Sequence, residues 1–439
     1  MERNQYVVAL EIGSTKIVGA IAEKSANAYV GVKFVAEEKT PNCVRYGCIQ
    51  NVENTKQAIN RIIRSLEKSI DGQINDIYVG FSGHSVHSEV SKVSRELDGS
   101  SPITDMIIDR IIESETRDSF KSYEIVDVVP RTYYIDGDET RTPSGRYGSK
   151  IGIKLNLIVA KPTLKLNLDR AMKDLTAKVK GYLVTPLVIG EEILTNEEMA
   201  LGCMLVDMGA ETTEVVIYKD GALVYLTTLP LGGRNLTRDM TAGLTIMEET
   251  AERVKKSLTN PLDPTCEAVT IEGVNSQNAS KYITARMGEI IANINKQREY
   301  AGLGITDIKT VVLIGGSSML PGIQEMFGKV MNVKVRRGEC PTNINIENHS
   351  VNKPEYIGIF SLLAKAAEII PAGHSCLERT IYDDGPEFEG GIAAASQPAQ
   401  EESLTRQQEK KRKKGRFSGI IDKLSSLLDE NDGNDKDDS

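Results

Sequence analysis

The feature that most constrains the fold of this chain is a strand–turn–strand pattern that occurs twice. Residues 6–23 (YVVALEIGSTKIVGAIAE) contain an apolar run, the carboxylate of Glu11, a glycine turn and a second apolar run. Residues 203–218 (CMLVDMGAETTEVVIY) repeat this order around Asp207 and Gly209. Apolar runs on both sides of a glycine turn predict a β-hairpin. The repetition predicts two similar lobes, each of which begins with such a hairpin.

Helical patterns lie between and after the two hairpins. Apolar residues recur at helical spacing in residues 59–70, 107–112, 164–179, 246–258 and 281–300. Strands that alternate with helices predict the α/β class. At 439 residues the chain is too long for one compact core, so we expect two or more domains.

The charge balance and the N-terminus restrict the possible partners and location. The formal net charge of −9 argues against a general nucleic-acid binder, which usually presents a basic face. The first residues, MERNQYVVAL, lack the basic, apolar and cleavage regions of a secretory signal. No window approaches the ~18 consecutive apolar residues of a membrane-spanning helix. We therefore expect a protein of the cytosolic side with no nucleic-acid partner.

Three glycine turns supply the residue types that bind a nucleoside triphosphate between two lobes. Backbone N–H groups in such turns can face phosphates, and carboxylates can hold Mg²⁺ through its water shell. A serine hydroxyl and a compact lysine charge in the first turn can contact a terminal phosphate. The candidate residues are Glu11, Gly13, Ser14, Thr15 and Lys16 in the first turn, Asp207, Gly209 and Thr212 in the second, and Gly315, Gly316 and Ser317 in the third. Of these, Glu11 and Asp207 are the candidates for Mg²⁺.

The three turns resemble the phosphate and adenosine motifs of the actin superfamily, and within it the chain resembles the FtsA family. The sequence LEIGSTK has Glu11 where most of the superfamily has aspartate, as FtsA proteins do, and VVPRTYYIDG is characteristic of FtsA. The resemblance covers residues 5–371. It implies an α/β, actin-like fold of two duplicated, ribonuclease-H-like lobes with the FtsA-type insert in the first lobe. It also implies ATP and Mg²⁺ as ligands.

The resemblance adds further candidates for the nucleotide site. Glu252 and Lys255 in AERVKK resemble the pair that brackets the purine and the ribose. Gly232 and Gly233 resemble the turn before the inserted subdomain of the second lobe. Residues 354–363 (PEYIGIFSLL) resemble the helix that connects the second lobe back to the first.

The resemblance and the composition together imply a domain order. From residue 373 the chain is rich in Gly, Pro, Ala, Ser, Gln and Glu, which is typical of a flexible linker. The expected segments are the first lobe (residues 1–81 and 162–195), its insert (82–161), the second lobe (196–350) with an inserted subdomain at about 228–305, the connecting helix (351–372), the linker (373–409), a membrane-targeting helix (410–430) and an acidic tail (431–439).

The second phosphate turn departs from the family pattern Asp-x-Gly-Gly-Gly-Thr, because Ala210 and Glu211 replace two glycines. The replacement is expected to restrict access to positive φ. It is also expected to place a carboxylate near the phosphates, where like charges repel. We therefore expect ATP binding with at most weak ATPase activity, and we identify no catalytic residue.

The clearest physical signal is a basic cluster followed by an apolar stripe near the C-terminus. On a helical wheel, the large apolar side chains of residues 417–428 occupy an arc of about 120°. A helix of that length, roughly 18 Å, is too short to cross a bilayer. We expect it to lie in the interface of an anionic inner leaflet; the alternative is docking on the chain's own core or on a partner helix. The candidate membrane residues are Lys413, Lys414, Arg416, Phe417, Ile420, Ile421, Leu424, Leu427 and Leu428.

The FtsA resemblance implies a peripheral protein that polymerises on the cytoplasmic face of the inner membrane, at the division site, and tethers FtsZ filaments there. Arg286 and Glu289 match positions tied to binding of the FtsZ C-terminal peptide, although a solvated helix face is an equal alternative. The insert, residues 82–161, is associated with contacts to other division proteins and between protomers. A pilus-assembly relative normally lacks the basic tail, and a small-molecule kinase needs a catalytic aspartate that we do not find.

Overall fold

The computed structural model of the chain describes residues 5–25, 29–116, 122–263, 265, 267–346 and 354–379. Over these ranges, no helix combines the length and the apolar character needed to cross a membrane. The predicted membrane-targeting helix at 410–430 and the predicted acidic tail at 431–439 lie outside the described residues.

The described elements follow one another in two series. The first series is β1 (Gln5–Ile12), β2 (Lys16–Lys24), β3 (Val30–Lys39), β4 (Val44–Arg45), β5 (Cys48–Ile49), α1 (Val52–Ile70), β6 (Gly72–Ile74), β7 (Asp76–Phe81), β8 (His87–Glu96), α2 (Asp105–Thr116), β9 (Glu124–Ile135), β10 (Asp138–Thr140), β11 (Lys150–Ala160), α3 (Pro162–Met172), β12 (Lys178–Val184), α4 (Thr185–Ile193) and α5 (Asn196–Leu201). The second is β13 (Cys203–Met208), β14 (Thr213–Lys219), β15 (Ala222–Leu229), α6 (Gly233–Leu244), α7 (Glu248–Ser257), β16 (Thr270–Ile271), β17 (Val274–Asn275), α8 (Ser276–Tyr300), β18 (Thr310–Ile314), α9 (Ile323–Met331), β19 (Lys334–Arg337), β20 (Ile344–Ile346), α10 (Ile357–Ile369) and β21 (Leu377–Arg379).

Two sheets of the same topology form the centres of two lobes. In the first lobe five strands have the order β3-β2-β1-β7-β12, where β2 is antiparallel to its neighbours and β7 and β12 run parallel to β1, and β20 adds parallel to β3 as a sixth strand. In the second lobe, β15-β14-β13-β18-β19 has the same order and the same strand directions. The predicted duplication is therefore confirmed.

The insert in the first lobe is a four-stranded sheet, β10-β9-β11-β8, that packs against α2. It has its own buried core, in which Ile108 and Ile112 of α2 join Ile153 and Leu155 of β11. A single backbone pair between His87 of β8 and Thr227 of β15 connects this sheet to the edge of the second lobe. The insert therefore contacts both the lobe that carries it and the opposite lobe.

Two helices pack against the first sheet, and one of them, α10, reaches the cleft. Helix α1 buries the predicted apolar face, including Ile59, Ile62 and Leu66, as its periodicity indicates. Helix α10, within the predicted connecting segment, is buried on nearly all sides and packs against α4, β1 and β2. Because α10 begins beside the carboxyl end of β1, its first turn lies next to the first glycine turn.

Two predicted helices have different limits in the structure. The segment 164–179 is not one helix: α3 ends at Met172, Asp174 has a left-handed φ of 64°, and residues from 178 form a strand parallel to β7. Parallel pairing in a buried sheet outweighs the local helical pattern here. The helix predicted from residue 281 begins earlier, at Ser276, because the Asn275 side chain accepts a hydrogen bond from the third N–H of the helix.

The described chain ends in a short strand at the edge of the first lobe. Strand β21 pairs antiparallel with β6, and Cys376 and Leu377 are buried. His374 Nε2 lies 2.8 Å from Asp76 Oδ2, which fixes the segment before the strand. The segment predicted as linker from residue 373 therefore overlaps an ordered part of the fold.

Candidate functional site

A cleft of about 640 Å³ lies between the two lobes and takes its walls from both. Ligand pockets for small molecules are typically roughly 300–1,000 Å³. The sequence-predicted residues that line it are Glu11, Gly13, Ser14, Thr15, Lys16, Asp207, Gly209, Thr212, Gly233, Glu252, Lys255, Gly315, Gly316 and Ser317. The remaining candidate, Gly232, lies behind the wall. The structure thus brings the three turns, which are distant in sequence, to one cavity.

The first two turns have the same backbone geometry. The N–H of Gly13 donates to the carbonyl of Lys16 at 3.1 Å, and the N–H of Gly209 donates to the carbonyl of Thr212 at 2.9 Å. A Cβ on Gly13 would lie 2.8 Å from the Lys16 oxygen, so this turn needs glycine because the backbone approaches closely. Each lobe therefore presents the same tight turn to the cleft.

Two other glycines allow the backbone to approach the carboxylates behind the turns. Gly315 has a φ of 81°, and a Cβ there would collide with the carboxylate of Asp207. Gly358, in the first turn of α10, has no room for a Cβ because the Glu11 carboxylate lies against it. The N–H of Ile359 also donates to Glu11. The Asp207 carboxylate is thus packed against the third glycine turn, and the Glu11 carboxylate against the first turn of α10.

Three carboxylates gather at the centre of the cleft. Burial raises the pKa of Glu11 to about 7, against a lowering by Lys16 and with a further rise from Glu214. Burial also raises the pKa of Asp207 well above its usual value, and the charges of Glu214 and Glu11 add to the rise. A bound proton or cation would therefore stabilise this group. In the described part of the chain, no set of three or more His, Cys, Asp and Glu is placed to hold a metal ion.

Glu214 is the functional candidate that the sequence reasoning missed. It lies directly across the hairpin from Asp207, is buried, and accepts a hydrogen bond from Ser82 Oγ of the first lobe at 2.8 Å. Burial raises its pKa, although hydrogen bonds from Ser82 and Thr212 lower it. Cross-strand pairing within the predicted hairpin was the available signal, because residues opposite each other point to the same face of a sheet.

Lys16 and Ser14 of the first turn are already engaged by neighbouring groups. Lys16 Nζ lies 2.8 Å from Glu37 Oε2 and 4.5 Å from the centre of the Tyr356 ring. Ser14 Oγ accepts a hydrogen bond from the N–H of Gly47 at 2.9 Å. This contact uses the serine oxygen as acceptor and leaves its hydroxyl hydrogen to be donated to a ligand.

Helices α6 and α7 form the wall of the cleft in the second lobe. The N–H of Gly233 donates to the Gly209 carbonyl at 3.0 Å, which joins α6 to the second turn. Lys255 Nζ donates to the Gly233 carbonyl at 3.0 Å and to Glu252 Oε2 at 2.6 Å. Gly232 is needed for close approach, because a Cβ there would lie 2.6 Å from the Ala210 carbonyl oxygen. The predicted pair Glu252 and Lys255 therefore lies at the cleft as one hydrogen-bonded unit.

Of the two expectations for the residues that replace glycine in the second turn, the one that places the Glu211 carboxylate near the phosphates was wrong. Neither Ala210 nor Glu211 has a positive φ, so both residues fit the turn. Glu211 does not line the cleft. Its side chain is 1% exposed and accepts a hydrogen bond from Arg234 Nη1 at 2.7 Å. Arginine side chains on both sides hold this carboxylate away from the expected phosphate position. The sequence of the turn alone does not reveal these neighbours.

The candidate partner-binding residues lie on α8, outside the cleft. Arg286 is held by Asp239 of α6, with Nη2 to Oδ1 at 3.0 Å, and its Nη1 donates to Glu289 Oε2 at 2.6 Å. The hydrogen bonds and charge of Asp239 raise the pKa of Arg286. The two candidates therefore form a linked charged group on the α6–α8 surface. The candidate membrane residues, Lys413 to Leu428, lie outside the described residues.

Known proteins show similarity over most of the chain. The family profile described as "Cell division protein FtsA" matches residues 204–360, and the one described as "SHS2 domain inserted in FTSA" matches residues 83–159. The Cell division protein FtsA of Porphyromonas gingivalis is 28% identical over 387 residues, which are 83% of this chain and 79% of that protein. The protein of the same name from Bacillus subtilis is 28% identical over 383 residues, 82% of this chain and 81% of that protein.

A solved structure of the PilM-PilN type IV pilus biogenesis complex contains a similar chain. The TM-score is 0.60 at 16% identity, over 82% of this chain and 98% of that chain. At this identity the likeness concerns the fold alone, and the predicted actin-like, two-lobed fold is confirmed. The pilus relative and the division family share that fold, so it does not separate them. The profiles do separate them, because one matches the second lobe and the other matches the insert. The chain belongs to the FtsA family of cell division proteins.

Proposed function

We propose that the cleft binds ATP together with Mg²⁺ and that ATP serves this division protein as a conformational ligand. The observation that carries the proposal is the pair of equivalent turns, one from each lobe, that face a single cavity. A ligand held by both turns would stabilise one relative position of the lobes. Nucleotide binding would therefore shift the population of lobe arrangements.

The residues present fit a nucleotide whose Mg²⁺ is held through its water shell, because no three His, Cys, Asp or Glu of the described residues are placed to hold a metal ion directly. The cluster of Glu11, Asp207 and Glu214 favours a cation, because burial raises all three pKa values and neighbouring carboxylates raise those of Glu11 and Asp207 further. Mg²⁺ bound there would supply positive charge between these carboxylates and the phosphates. The turns that would donate backbone N–H groups to the phosphates are residues 13–16 and 209–212. The residues proposed to contact the nucleoside are Glu252, Lys255, Gly315, Gly316 and Ser317.

A titration of the intact chain with a fluorescent ATP analogue tests this site. We expect saturable binding that strengthens with Mg²⁺, and we expect Asp207→Asn to lose most of the Mg²⁺ dependence. The substitution keeps the shape of the side chain and removes one of three crowded charges, so the fold should survive. Equal binding by wild type and variant, with and without Mg²⁺, would contradict the proposal.

We also propose that the protein polymerises on the cytoplasmic face of the inner membrane and tethers FtsZ there through residues 410–430. Six apolar side chains, partly buried in the lipid interface, contribute about 6–9 kcal/mol. Ordering a short helix offsets much of this, so one tail would bind weakly and reversibly. A filament that carries many tails would bind firmly through avidity. Any ATP hydrolysis is proposed to be weak.

Co-sedimentation with anionic vesicles tests the tether. The intact chain should pellet with vesicles, and a chain truncated after Glu409 should stay in the supernatant. Equal pelleting of the two chains would refute the tether.

Retention on immobilised FtsZ C-terminal peptide tests the partner. Arg286→Ala should weaken retention, because it removes the charge that Asp239 and Glu289 hold on the α6–α8 surface. Arg253→Ala, which breaks an exposed pair with Glu272, is the matched control. Equal retention of both variants would argue for an ordinary solvated helix face.

A further inference from the structure

Glu211 is held by groups from both lobes. Its Oε1 lies 2.7 Å from Arg234 Nη1 of the second lobe and 3.1 Å from Arg45 Nε of the first. Its Oε2 accepts a hydrogen bond from the N–H of Tyr46, also of the first lobe, at 2.8 Å. The Arg45 contact is an ion pair without an aligned hydrogen bond. A residue of the second glycine turn thus joins the two halves of the molecule.

The first-lobe partners belong to a tight hairpin. Strands β4 and β5 pair through Val44 and Ile49, and the tip between them is Tyr46 and Gly47, with φ values of 50° and 73°. Two left-handed residues are what a two-residue turn of this type requires. The left-handed Tyr46 costs conformational energy that its surroundings must offset.

The same hairpin tip contacts the first glycine turn. The N–H of Gly47 donates to Ser14 Oγ at 2.9 Å, and the N–H of His84 donates to the Tyr46 carbonyl at 3.0 Å. One short hairpin therefore connects Ser14, at the first turn, with Glu211, at the second. Movement of either turn must displace this tip or break one of these contacts.

The charge around Glu211 is positive overall. Arg234 and Arg45 contact its carboxylate, and Arg238 Nη2 lies 4.0 Å from it. Arg234 also lines the cleft, and its Nε pairs with Glu248 at 3.2 Å. Glu211 therefore holds an arginine at the cleft wall without exposing a carboxylate to an anionic ligand.

We propose that Glu211 is a positioning residue that ties the lobes together through the Tyr46–Gly47 hairpin tip and so couples the Ser14 turn to the second turn. The part that concerns ligand affinity rests on the proposed ATP site. The tie exists without nucleotide, because all its contacts are within the chain. Where the family pattern has a glycine with a freer backbone, this chain has Glu211 and an ion pair between the lobes.

Amide hydrogen exchange and ATP-analogue binding test the tie in the intact chain. In Glu211→Ala the peptide that contains Tyr46 should exchange faster, because its N–H loses its acceptor. Affinity for the Mg²⁺ complex of the analogue should fall about 10-fold, within the range of couplings between sites. Arg45→Ala should weaken affinity less, and the double variant should be no weaker than Glu211→Ala, because both changes break one interaction.

Two further variants separate the tie from general destabilisation. In Glu211→Gln the side chain keeps an oxygen for the Tyr46 N–H but loses its charge. Exchange of that amide should therefore stay as slow as in the wild type, whereas affinity for the ATP analogue should fall below that of the wild type. Glu272→Ala removes an exposed pair with Arg253 in the same lobe and should change neither measurement. If Glu211→Ala does not fold, Arg45→Ala decides by faster exchange of the 44–49 peptide, because the hairpin loses its ion pair with the second lobe, and Glu211→Gln decides by its lower affinity.

Three results have distinct meanings. Unchanged exchange of the 44–49 peptide in Glu211→Ala, or in Arg45→Ala where Glu211→Ala does not fold, overturns the tie. Additive losses of affinity for Arg45→Ala and Glu211→Ala overturn the coupling. Absence of analogue binding by the wild type refutes the proposed ATP site, and the exchange measurement then still decides the tie.

Discussion

Gly315 and Gly316 are neighbours with different structural requirements. Gly315 has φ 81° and ψ 165°, a region that essentially only glycine occupies, and a Cβ there would collide with the Asp207 carboxylate. Around Gly316 an added Cβ would meet nothing within 4 Å. The two positions therefore offer a substitution and its control for stability in adjacent residues.

We predict that Gly315→Ala lowers the free energy of unfolding by about 1–3 kcal/mol and abolishes ATP-analogue binding, because the backbone and Asp207 must both shift. Gly316→Ala should change the unfolding free energy by at most about 0.5 kcal/mol. Urea unfolding measures the change in unfolding free energy, and titration with the analogue measures the loss of binding. Identical behaviour of the two variants would contradict the described geometry of the third turn.

The raised pKa of Glu11 predicts a pH dependence of stability. Its pKa rises from 4.5 to about 7 in the folded chain, so the protonated form stabilises the fold fully below 4.5. This contribution, up to about 3 kcal/mol, is lost as pH rises through about 7. Without nucleotide, wild type should therefore lose more stability between pH 5 and pH 8 than Glu11→Gln, as measured by urea unfolding. Equal losses of stability between pH 5 and pH 8 in the wild type and in Glu11→Gln would contradict this prediction.

At the residue scale, the sequence predicted groups whose chemistry lies within one short motif. Glu11, Asp207 and the glycines of the turns line the cleft because local backbone geometry places them. Glu214 needed the hairpin register, which pairs it with Asp207. The orientation of Glu211 depends on Arg45, which is distant in sequence and reaches it only through packing of the lobes. No local pattern contains that information.

At the scale of elements, strand β21 is the last element of the described residues. Cys376 and Leu377 are buried, and Gln5 Nε2 donates to the His374 carbonyl at 2.6 Å. The strand therefore packs against the first lobe, although it lies in the segment predicted as a linker.

We predict that a chain ending after Pro371 is less stable than one ending after Arg379 by about 2–4 kcal/mol, because it loses buried apolar surface and a strand pair. A chain ending after Glu409 should match the one ending after Arg379. Thermal and urea unfolding give the comparison. Equal stability of the 371 and 379 chains would show that β21 does not stabilise the fold.

Element types were predicted best where length and pattern agreed. The α1 face and the two hairpins follow their periodicity, whereas the end of the predicted helix 164–179 lies outside α3, and residues 178 and 179 begin β12 instead. The choice is made by pairing with β7, a contact between segments about one hundred residues apart. Periodicity in a short apolar segment does not distinguish a helix from a buried strand.

At the scale of the whole molecule, duplication was readable from sequence because both hairpins keep the same order of features. The arrangement of the lobes was not readable, since it depends on contacts such as Ser82 with Glu214 and Arg45 with Glu211. These contacts connect the two lobes, and a ligand held by both turns would act on them. Assembly, and with it the number of tails on one filament, should therefore respond to nucleotide.

Vesicle co-sedimentation with and without the Mg²⁺ complex of ATP, at one protein concentration, tests this coupling most directly. Nucleotide should increase pelleting of the intact wild-type chain, because filaments combine many weak tails. Asp207→Asn should pellet equally with and without nucleotide, at the lower wild-type level, and the chain truncated after Glu409 should not pellet with vesicles. Nucleotide-independent pelleting of the wild type, equal to that of Asp207→Asn, would contradict a nucleotide-controlled membrane tether.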